Sequence, residues 1–259
     1  MELRHVRRIA FEKGMGKNYV CKEQRITEAL TKIYIIFKNE VVLKGGTAMN
    51  RAYIKENGRF SEDIDLDFIN NDIEAAKRHI CEMMKNLQGF IVEKPRLMKK
   101  TFRFDCYYKN ELNHKDKIKI EFYLGHDSLI GKAEDIAIES PILEGQTNIM
   151  MTYSLESLIA RKIVALLRRE EGKDLYDLFF ALKKSYNKKE MNKVLEGMCV
   201  FYAIDHGSIH KMLDEKFEKI TANIKYIGNS TNHYLSNENN IAWPIIAQET
   251  ERMLKDAVR

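Results

Sequence analysis

The chain has few residues that would crosslink it or divide it into loosely connected pieces. Its 259 residues include only four cysteines, which lack the C-x-x-C spacing of a zinc site and the density of a disulfide scaffold. Three prolines and thirteen glycines argue against long flexible linkers. No run approaches the roughly 20 apolar residues that span a bilayer. We therefore expect a folded protein with reduced thiols and no membrane association.

The chain also lacks the features of disordered and secreted proteins. Apolar residues make up 44% and charged residues 31%, a composition too apolar for a disordered chain. The first residues, MELRHVRRIAFEKG, contain no apolar signal core, which predicts a cytoplasmic location. A formal net charge of +5 permits a nucleic-acid partner without requiring one, because a lysine-rich soluble surface explains it more simply.

Periodicity predicts an α+β first half with a mixed sheet. Helical spacing in residues 21–37 precedes a short buried strand, VVLK, which ends in a glycine turn. A further helix follows residue 70, with Asn71 or Asp72 as its expected N-cap. Strand-like stretches elsewhere in this half are FSEDIDLDFI, FIVEKP, TFRFDCYY and KIKIEFYL.

The second half is predicted to be helical from about Thr152 onwards. The change of period falls in a loop-rich stretch, 125–148, that contains three glycines and a proline. We therefore predict two domains, 1–150 and 151–259, with the boundary near 145–152.

Three aspartates alternate with apolar residues in FSEDIDLDFI. Asp63, Asp65 and Asp67 would project from one face of a strand, about 6.5–7 Å apart at about 3.3 Å rise per residue. Such crowding is unfavourable unless a cation offsets it or water solvates the face. An EF-hand does not fit, since Phe68 stands at loop position 6, where glycine is required, and the intervening residues form a strand. A solvated edge strand and a Mg²⁺ site remain as alternatives.

A Gly-Gly-Thr turn upstream supplies a second element of a nucleotide site. Gly45, Gly46 and Thr47 are expected to open a helix, whose amides and positive end suit a phosphate. Lys44 directly precedes them and is either a phosphate contact or a surface lysine at the strand end. The Walker sequence G-x-x-x-x-G-K-[ST] is absent.

Together these elements are similar to the signature of the DNA polymerase β-like nucleotidyltransferases. The string KGGTAMNRAY…RFSEDIDL, residues 44–66, resembles nucleotidyltransferase toxins of the AbiEii type, which include mycobacterial relatives that modify tRNA. Residues 160–178, ARKIVALLRREEGKDLYDL, resemble the helical motif of that family, with Lys173 where the family usually has arginine. A lysine keeps the charge and loses the bidentate guanidinium.

The resemblance implies a polymerase β-like nucleotidyltransferase core, a helical C-terminal domain and an active cleft between them. An acceptor hydroxyl, most simply that of a tRNA 3′ end, would attack an NTP with release of pyrophosphate, using Mg²⁺ or Mn²⁺. Transfer to a small molecule or a protein side chain is the alternative, as is a catalytically silent NTP- or RNA-binding regulator. A cognate antitoxin protein is an expected partner.

The resemblance also assigns metal ligands. Asp63 and Asp65 match the metal-binding pair, whereas Asp67 lies outside the motif and is expected to be solvated or to support the pair. A third carboxylate should come from a neighbouring strand. Glu121 is the candidate, with Asp105 as the alternative, and each could instead form a cross-strand pair with a lysine.

The helical motif supplies the remaining candidates. Lys162 falls within the apolar arc of its helix and either binds the nucleotide or substrate phosphates or extends to solvent. Arg169 lies near the edge of the same arc and is a further nucleotide-binding candidate. Asp174 is expected to orient Lys162 or to bind nucleotide, unless it is only an acid at a helix N-terminus.

Overall fold

Two helices precede the first strand. The structure, a computed structural model, describes residues 2–69, 72–125, 129–239 and 242–258. Helices α1 (Leu3–Lys13) and α2 (Lys17–Phe37) lead into strand β1 (Val41–Lys44). The predicted helix over 21–37 is confirmed, although it begins four residues earlier. Its apolar positions Ile26, Leu30 and Ile33 are fully buried, which is the expected result of helical spacing on an amphipathic segment.

A mixed sheet forms the centre of the described residues. Its remaining strands are β2 (Asp63–Phe68), β3 (Ile91–Val92), β4 (Arg96–Met98), β5 (Thr101–Lys109), β6 (Lys115–Tyr123), β7 (Ala133–Glu139) and β8 (Thr147–Tyr153). The strand order is β3-β5-β6-β2-β1-β8-β7, with β4 paired to β5. Strand β2 runs parallel to β6 and antiparallel to β1, so it is central. This arrangement confirms the predicted α+β class with a mixed sheet.

The loop predicted over 125–148 is partly wrong. Strand β7 lies within it, pairs antiparallel with β8, and forms one edge of the sheet. Four of its seven residues are exposed, two are partly buried and only Ile138 is buried, so its apolar alternation is weak. Strand β8 also crosses the boundary expected at 145–152. The division into two domains therefore stays a prediction, and residues 126–128 lie outside the described part of the chain.

The glycine turn opens helix α3 (Gly45–Met49), which continues as a wider π-turn over Asn50–Ile54. Gly45 has φ +73°, a left-handed conformation that favours glycine. Helix α4 (Ile73–Met84) is capped by Asp72, whose carboxylate accepts from the amides of Glu74 and Ala75 at 2.9 and 3.0 Å. The other cap candidate, Asn71, lies outside the described residues.

Helices follow the sheet, as predicted. They are α5 (Leu155–Arg168), α6 (Gly172–Ala181), α7 (Lys188–Tyr202), α8 (Ile209–Ala222), α9 (Ile224–Thr231) and α10 (Trp243–Ala257). The apolar stripe of α5 is buried, and Lys162 within it is only 6% exposed. Helices α5 and α6 pack together and against α3, which brings them to the carboxyl end of β1. Among the described helices, none has the length and apolar character to cross a bilayer.

Candidate active site

A cavity of about 260 Å³ opens where α3, β2, β6 and the α5–α6 corner meet. Six of the predicted site residues line it: Gly46, Asp63, Asp65, Glu121, Lys162 and Arg169. Six others were not predicted as site residues: Arg59, Ser61, Glu62, Glu171, Lys173 and Tyr234. Acids on β2 and β6 therefore share one small space with four cations.

The strand register brings the predicted carboxylates together. Because β2 and β6 are parallel neighbours, Asp65 lies opposite Glu121 and Asp63 lies opposite Lys119. The ion pairs of these acids are loose: Lys119 Nζ is 3.5 Å from Asp63, and Arg103 Nε is 3.8 Å from Glu121. The Asp63 side chain is 40% exposed and that of Glu121 is 26% exposed. These acids are therefore accessible and only weakly neutralised.

Two of the cavity acids, Asp65 and Glu121, carry their negative charge less favourably than ordinary surface acids do. Burial raises the pKa of Asp65, and the nearby Asp63 carboxylate adds to the effect while Lys44 opposes it. Burial also raises the pKa of Glu121, with a further contribution from Asp65 and opposition from Arg103. The negative charges of Asp65 and Glu121 thus disfavour each other. A bound cation would remove this cost.

The donor set fits a hard divalent cation in its chemistry. Asp63, Asp65 and Glu121 supply carboxylate oxygens on adjacent strands, which are the ligands that Mg²⁺ and Mn²⁺ prefer. In the described part of the chain, however, no three His, Cys, Asp or Glu side chains are arranged closely enough to hold a metal ion. The residues are therefore suitable in kind, and the metal site stays a prediction.

Both glycines of the turn leave space that neighbouring side chains fill. A Cβ at Gly45 would collide with Oδ2 of Asp65. A Cβ at Gly46 would lie 2.6 Å from a guanidinium nitrogen of Arg59 and 3.1 Å from the Ser61 hydroxyl. The turn was predicted to lack side chains so that a phosphate could approach it. In this structure the same space admits a carboxylate and a guanidinium.

Lys44 and Thr47 make contacts inside the protein instead of lining the cavity. The Thr47 hydroxyl donates to the carbonyl oxygen of Asp63 at 2.5 Å, which ties the start of α3 to β2. The Lys44 ammonium donates to the Asp67 carboxylate and lies 4.7 Å from the centre of the Tyr123 ring. The residues that line the cavity do not include Lys44, Gly45 or Thr47.

Asp67 is fully buried, so the expectation that it could be solvated is wrong. Besides Lys44, it accepts a hydrogen bond of 2.6 Å from the Tyr153 hydroxyl on β8, and Arg161 Nη2 lies 3.8 Å away. These partners come from β1, β8 and α5, none of which the alternation within β2 reveals. Asp67 holds Lys44, whose charge opposes the rise in the pKa of Asp65, which agrees with the supporting role that the sequence left open.

On the opposite wall, Lys162 is fixed by two buried acids of α6. Its ammonium lies 2.7 Å from Asp174 Oδ1 and 2.8 Å from Asp177 Oδ2. Burial opposes the charged form of Lys162, but Asp177 and Asp174 outweigh it and keep its pKa above the usual value. The alternative that Lys162 extends to solvent is therefore wrong. Of the two roles predicted for Asp174, its contact agrees with orienting Lys162.

Asp177 joins three segments of the site and was not predicted as a site residue. Its carboxylate accepts two hydrogen bonds from Arg59, Nε at 2.9 Å and Nη2 at 2.8 Å, in a bidentate pair. It also accepts from Asn50 Nδ2 at 2.9 Å, and Asn50 in turn bonds the Gly46 carbonyl and the Arg59 amide. The α6 helix is thereby locked to the glycine turn. In the sequence, Asp177 is marked by its i,i+3 spacing from Asp174 and by its place in the motif at 160–178.

Arg169 and Lys173 are the more accessible cations of this wall. Arg169 Nε lies 2.6 Å from Asp174 Oδ2, and its side chain is 50% exposed. Lys173 Nζ lies 3.8 Å from Glu171 and 5.1 Å from the centre of the Tyr234 ring. Both therefore retain capacity for an additional anionic partner.

The alternative third carboxylate, Asp105, is already satisfied. It lies on β5, where Arg96, Lys117 and Arg103 approach it at 2.5, 2.9 and 3.4 Å. Its side chain is 5% exposed and does not line the cavity. Burial raises its pKa, but Lys117 and the two arginines outweigh burial and leave the pKa below its usual value. Glu121 is the better placed of the two.

Comparison with known proteins identifies the family. The sequence profile of the Nucleotidyl transferase AbiEii toxin family, of the Type IV toxin–antitoxin system, matches residues 30–257. The chain belongs to this family. No curated protein sequence matches the chain.

Solved structures show the same fold at low sequence identity. MenT4, a nucleotidyltransferase toxin of Mycobacterium tuberculosis H37Rv, is similar with a TM-score of 0.62 and 16% identity, over 99% of this chain and 90% of that one. A protein of H. pylori described as a candidate nucleotidyltransferase has a TM-score of 0.55 and 16% identity, over 94% of this chain and 96% of that one. The predicted nucleotidyltransferase fold with C-terminal helices is therefore confirmed.

Proposed function

We propose that this AbiEii-family chain is a divalent-metal-dependent enzyme that transfers a nucleoside monophosphate from an NTP to an acceptor hydroxyl, that of a tRNA 3′ end. The observation that carries the proposal is the polarised cavity. Strand acids with raised pKa values lie on one wall, and Arg59, Lys162, Arg169 and Lys173 lie on the other. A metal-bound triphosphate has the complementary charge for both walls.

The reaction balances without a further reactant. The acceptor oxygen forms a bond to the α-phosphorus of the NTP. The bond between the α-phosphorus and the oxygen that bridges it to the β-phosphorus breaks, and pyrophosphate leaves with the electron pair of that bond. The acceptor proton passes to a base. Catalysis of this class depends mainly on positioning and on electrostatic stabilisation of phosphate charge.

The strand acids would hold the metal. Asp63, Asp65 and Glu121 are the proposed ligands, and the bound ion would offset charge on the attacking and leaving oxygens. Glu121, which lies opposite Asp65 on the neighbouring strand, is also the proposed acceptor of the hydroxyl proton. Asp67 holds Lys44, and the charge of Lys44 partly offsets that of Asp65.

The cations of the helical wall would bind the phosphates. Arg59 and Lys162 are held in place by Asp177 and Asp174, so phosphate binding would cost little further side-chain conformational entropy. Arg169 and Lys173 are more exposed and suit the outer phosphates. A cavity of about 260 Å³ is smaller than typical ligand pockets of roughly 300–1,000 Å³, so it fits the triphosphate better than a complete nucleotide.

A labelled-nucleotide screen tests the proposal. The purified chain is incubated with each α-labelled NTP and Mg²⁺ or Mn²⁺, against total RNA, purified tRNA, an aminoglycoside and an unrelated protein. We expect label on tRNA. No label should be transferred in reactions that contain EDTA, and the label should remain on the tRNA after its 5′ end is removed. Label on the small molecule or protein alone would contradict the tRNA assignment, and no label with any acceptor and metal would contradict the enzyme itself.

An antitoxin partner and a cytoplasmic location complete the proposal. The family is a toxin family of a Type IV toxin–antitoxin system, which implies a cognate antitoxin. NTPs and tRNA are cytoplasmic, which agrees with the predicted location. Induced expression of the wild-type chain should arrest bacterial growth, whereas Asp65→Asn should not. Equal arrest by both would mean that toxicity does not depend on this site.

A further inference from the structure

A larger groove borders the candidate active site. Its volume is about 1090 Å³, compared with about 260 Å³ for the active cavity. It lies between the α1–α2 corner and the turn that joins β5 to β6, with Phe11, Tyr19 and Asn110 among its lining residues. The active cavity has room for a triphosphate, so an acceptor must lie largely outside it. The adjoining groove offers that room.

The two spaces share a border of paired side chains. Tyr19 and Lys22 line the groove, and Tyr234 and Glu62 line the active cavity. The rings of Tyr19 and Tyr234 are 5.9 Å apart, and the Tyr234 hydroxyl donates to Glu62 at 2.8 Å. Lys22 Nζ lies 3.9 Å from Glu62. A chain that leaves the active cavity across this border enters the groove.

The charge of the groove is suited to a polyanion. Its lining includes four cations, Arg7, Lys17, Lys22 and Lys115, against one carboxylate, Asp116. The Asp116 carboxylate lies 3.5 Å from Nζ of Lys22 and forms an ion pair with it. The excess positive charge is the usual means by which proteins follow a phosphate backbone.

Two lining side chains are poorly explained by the fold alone. Phe11 is 88% exposed, and an exposed ring beside basic residues is a typical stacking surface for an unpaired base. Asn110 is only 6% exposed, and its Oδ1 accepts from the amides of Leu112 and His114. Its Nδ2 donor finds no hydrogen-bond partner among the described residues. A buried donor of this kind normally has a partner, and a phosphate or base oxygen would supply one.

From these observations we infer that the groove binds a single-stranded segment of the acceptor RNA, directly behind the 3′ end that enters the active cavity. This inference rests on the proposed function. The backbone follows Arg7, Lys17 and Lys115, and an unpaired base stacks on Phe11. A duplex is not the occupant, since stacking on Phe11 requires a free base face.

Direct RNA binding tests the inference separately from catalysis. Fluorescence anisotropy with a labelled single-stranded RNA oligonucleotide compares wild type with Phe11→Ala and with the double variant Arg7→Ala/Lys17→Ala. We expect Phe11→Ala to weaken binding by about 5-fold or more, since stacking on one ring contributes on this scale. In the double variant, the negative slope of log K against log salt concentration should become shallower by about 1.4.

Matched controls are available on the helical side. Tyr226→Ala removes another exposed aromatic ring, which is 75% exposed, and Lys211→Ala removes another exposed lysine. Both should bind the oligonucleotide like wild type. All groove variants should keep the NTP affinity of wild type, measured by calorimetry, and should show a raised KM for RNA.

Several outcomes would overturn the inference. Unchanged RNA binding in both groove variants would do so even if nucleotide transfer to tRNA is observed, in which case the proposed function stands. Preference for duplex over single-stranded RNA would also contradict it. If the groove variants instead lose binding to a purified antitoxin while keeping RNA affinity, the surface belongs to a protein partner. Absence of transfer to any acceptor, with groove-dependent RNA binding, would contradict only the proposed function.

Discussion

The two walls of the cavity carry acids in opposite electrostatic situations. Asp174 and Asp177 on α6 are fully buried, and each is paired with two cations. Asp65 and Glu121 on the strands face each other across the register, with only distant or competing cations. Correspondingly, the pKa values of Asp174 and Asp177 are lowered despite burial, while those of Asp65 and Glu121 are raised.

This difference separates stability from function. A buried acid whose charge is fully paired helps to hold the folded state, and its loss leaves buried cations unpaired. An acid whose charge is disfavoured by its surroundings gives no such help, and this is the situation expected of the proposed cation ligands. The predictions below are ways to break this contrast between the two walls.

The largest effect is expected from removing charge on the strand wall. Asp63→Asn and Asp65→Asn should each reduce nucleotide transfer by on the order of 10³-fold, because one metal ligand is lost from the transition state. Because the charge of Asp65 is disfavoured, the free energy of unfolding of Asp65→Asn should equal or exceed that of wild type. Transfer is measured with labelled NTP, and stability by urea unfolding. Asp135→Asn, an exposed strand acid on β7, is the matched control and should behave like wild type. Unimpaired transfer in both site variants would refute the assignment of these ligands.

Removing charge on the helical wall should lower the stability of the protein, unlike removing the charge of Asp65. Asp177→Asn leaves Arg59 and Lys162 without a shared counterion and should lower the free energy of unfolding by about 3 kcal/mol. Urea unfolding measures this loss directly. Stability unchanged by Asp177→Asn would mean that the buried network does not hold α6 to the glycine turn.

A smaller effect should separate backbone strain from contact with Asp65. Gly45 and Gly145 have nearly the same conformation, φ +73° and +71°, but only Gly45 has a side chain next to its Cβ position. Alanine at either position should cost about 1–2 kcal/mol in stability. Only Gly45→Ala should also lose transfer activity, because it displaces the Asp65 carboxylate. Equal activity in the two variants would show that Asp65 need not pack against the turn.

The smallest effect is a pH dependence of the helical wall. Asp177 has a folded pKa below its ordinary 3.8, so its contribution to stability is present above pH 3.8 and is lost as pH falls towards the folded pKa. The stability difference between wild type and Asp177→Asn should therefore shrink below pH 3.8, by at most about 1.4 kcal/mol per pH unit. Urea unfolding at several acidic pH values measures it. A difference that grows on acidification would contradict the sign of this pKa shift.

Local pattern was sufficient for the elements and for the strand acids. The alternation in β2 predicted both its strand and the shared face of Asp63 and Asp65, since side chains alternate along any strand. Glu121 followed from the same alternation in β6. Its position opposite Asp65 depends on register, which no local pattern specifies.

The errors arose where distant elements decide the environment. Asp67 shares a face with Asp63, yet it is buried and bonded to Lys44 of the neighbouring strand β1 and to Tyr153 of β8, the strand beyond β1. Asp177 and Arg59 are 118 residues apart, so their pairing has no sequence signal of its own. Strand β7 was missed because an exposed edge strand carries little apolar alternation. Tertiary contacts, rather than propensity, determine each of these features.

Direct measurement of cation binding tests the central claim most closely. Mn²⁺ is titrated into wild type, Asp65→Asn and the Asp135→Asn control in the presence of a non-hydrolysable NTP analogue, and free Mn²⁺ is followed by electron paramagnetic resonance. The account predicts one nucleotide-dependent site in wild type and in Asp135→Asn, weakened at least about 10-fold in Asp65→Asn, since a ligand carboxylate is lost. Equal Mn²⁺ affinity in all three proteins would contradict it.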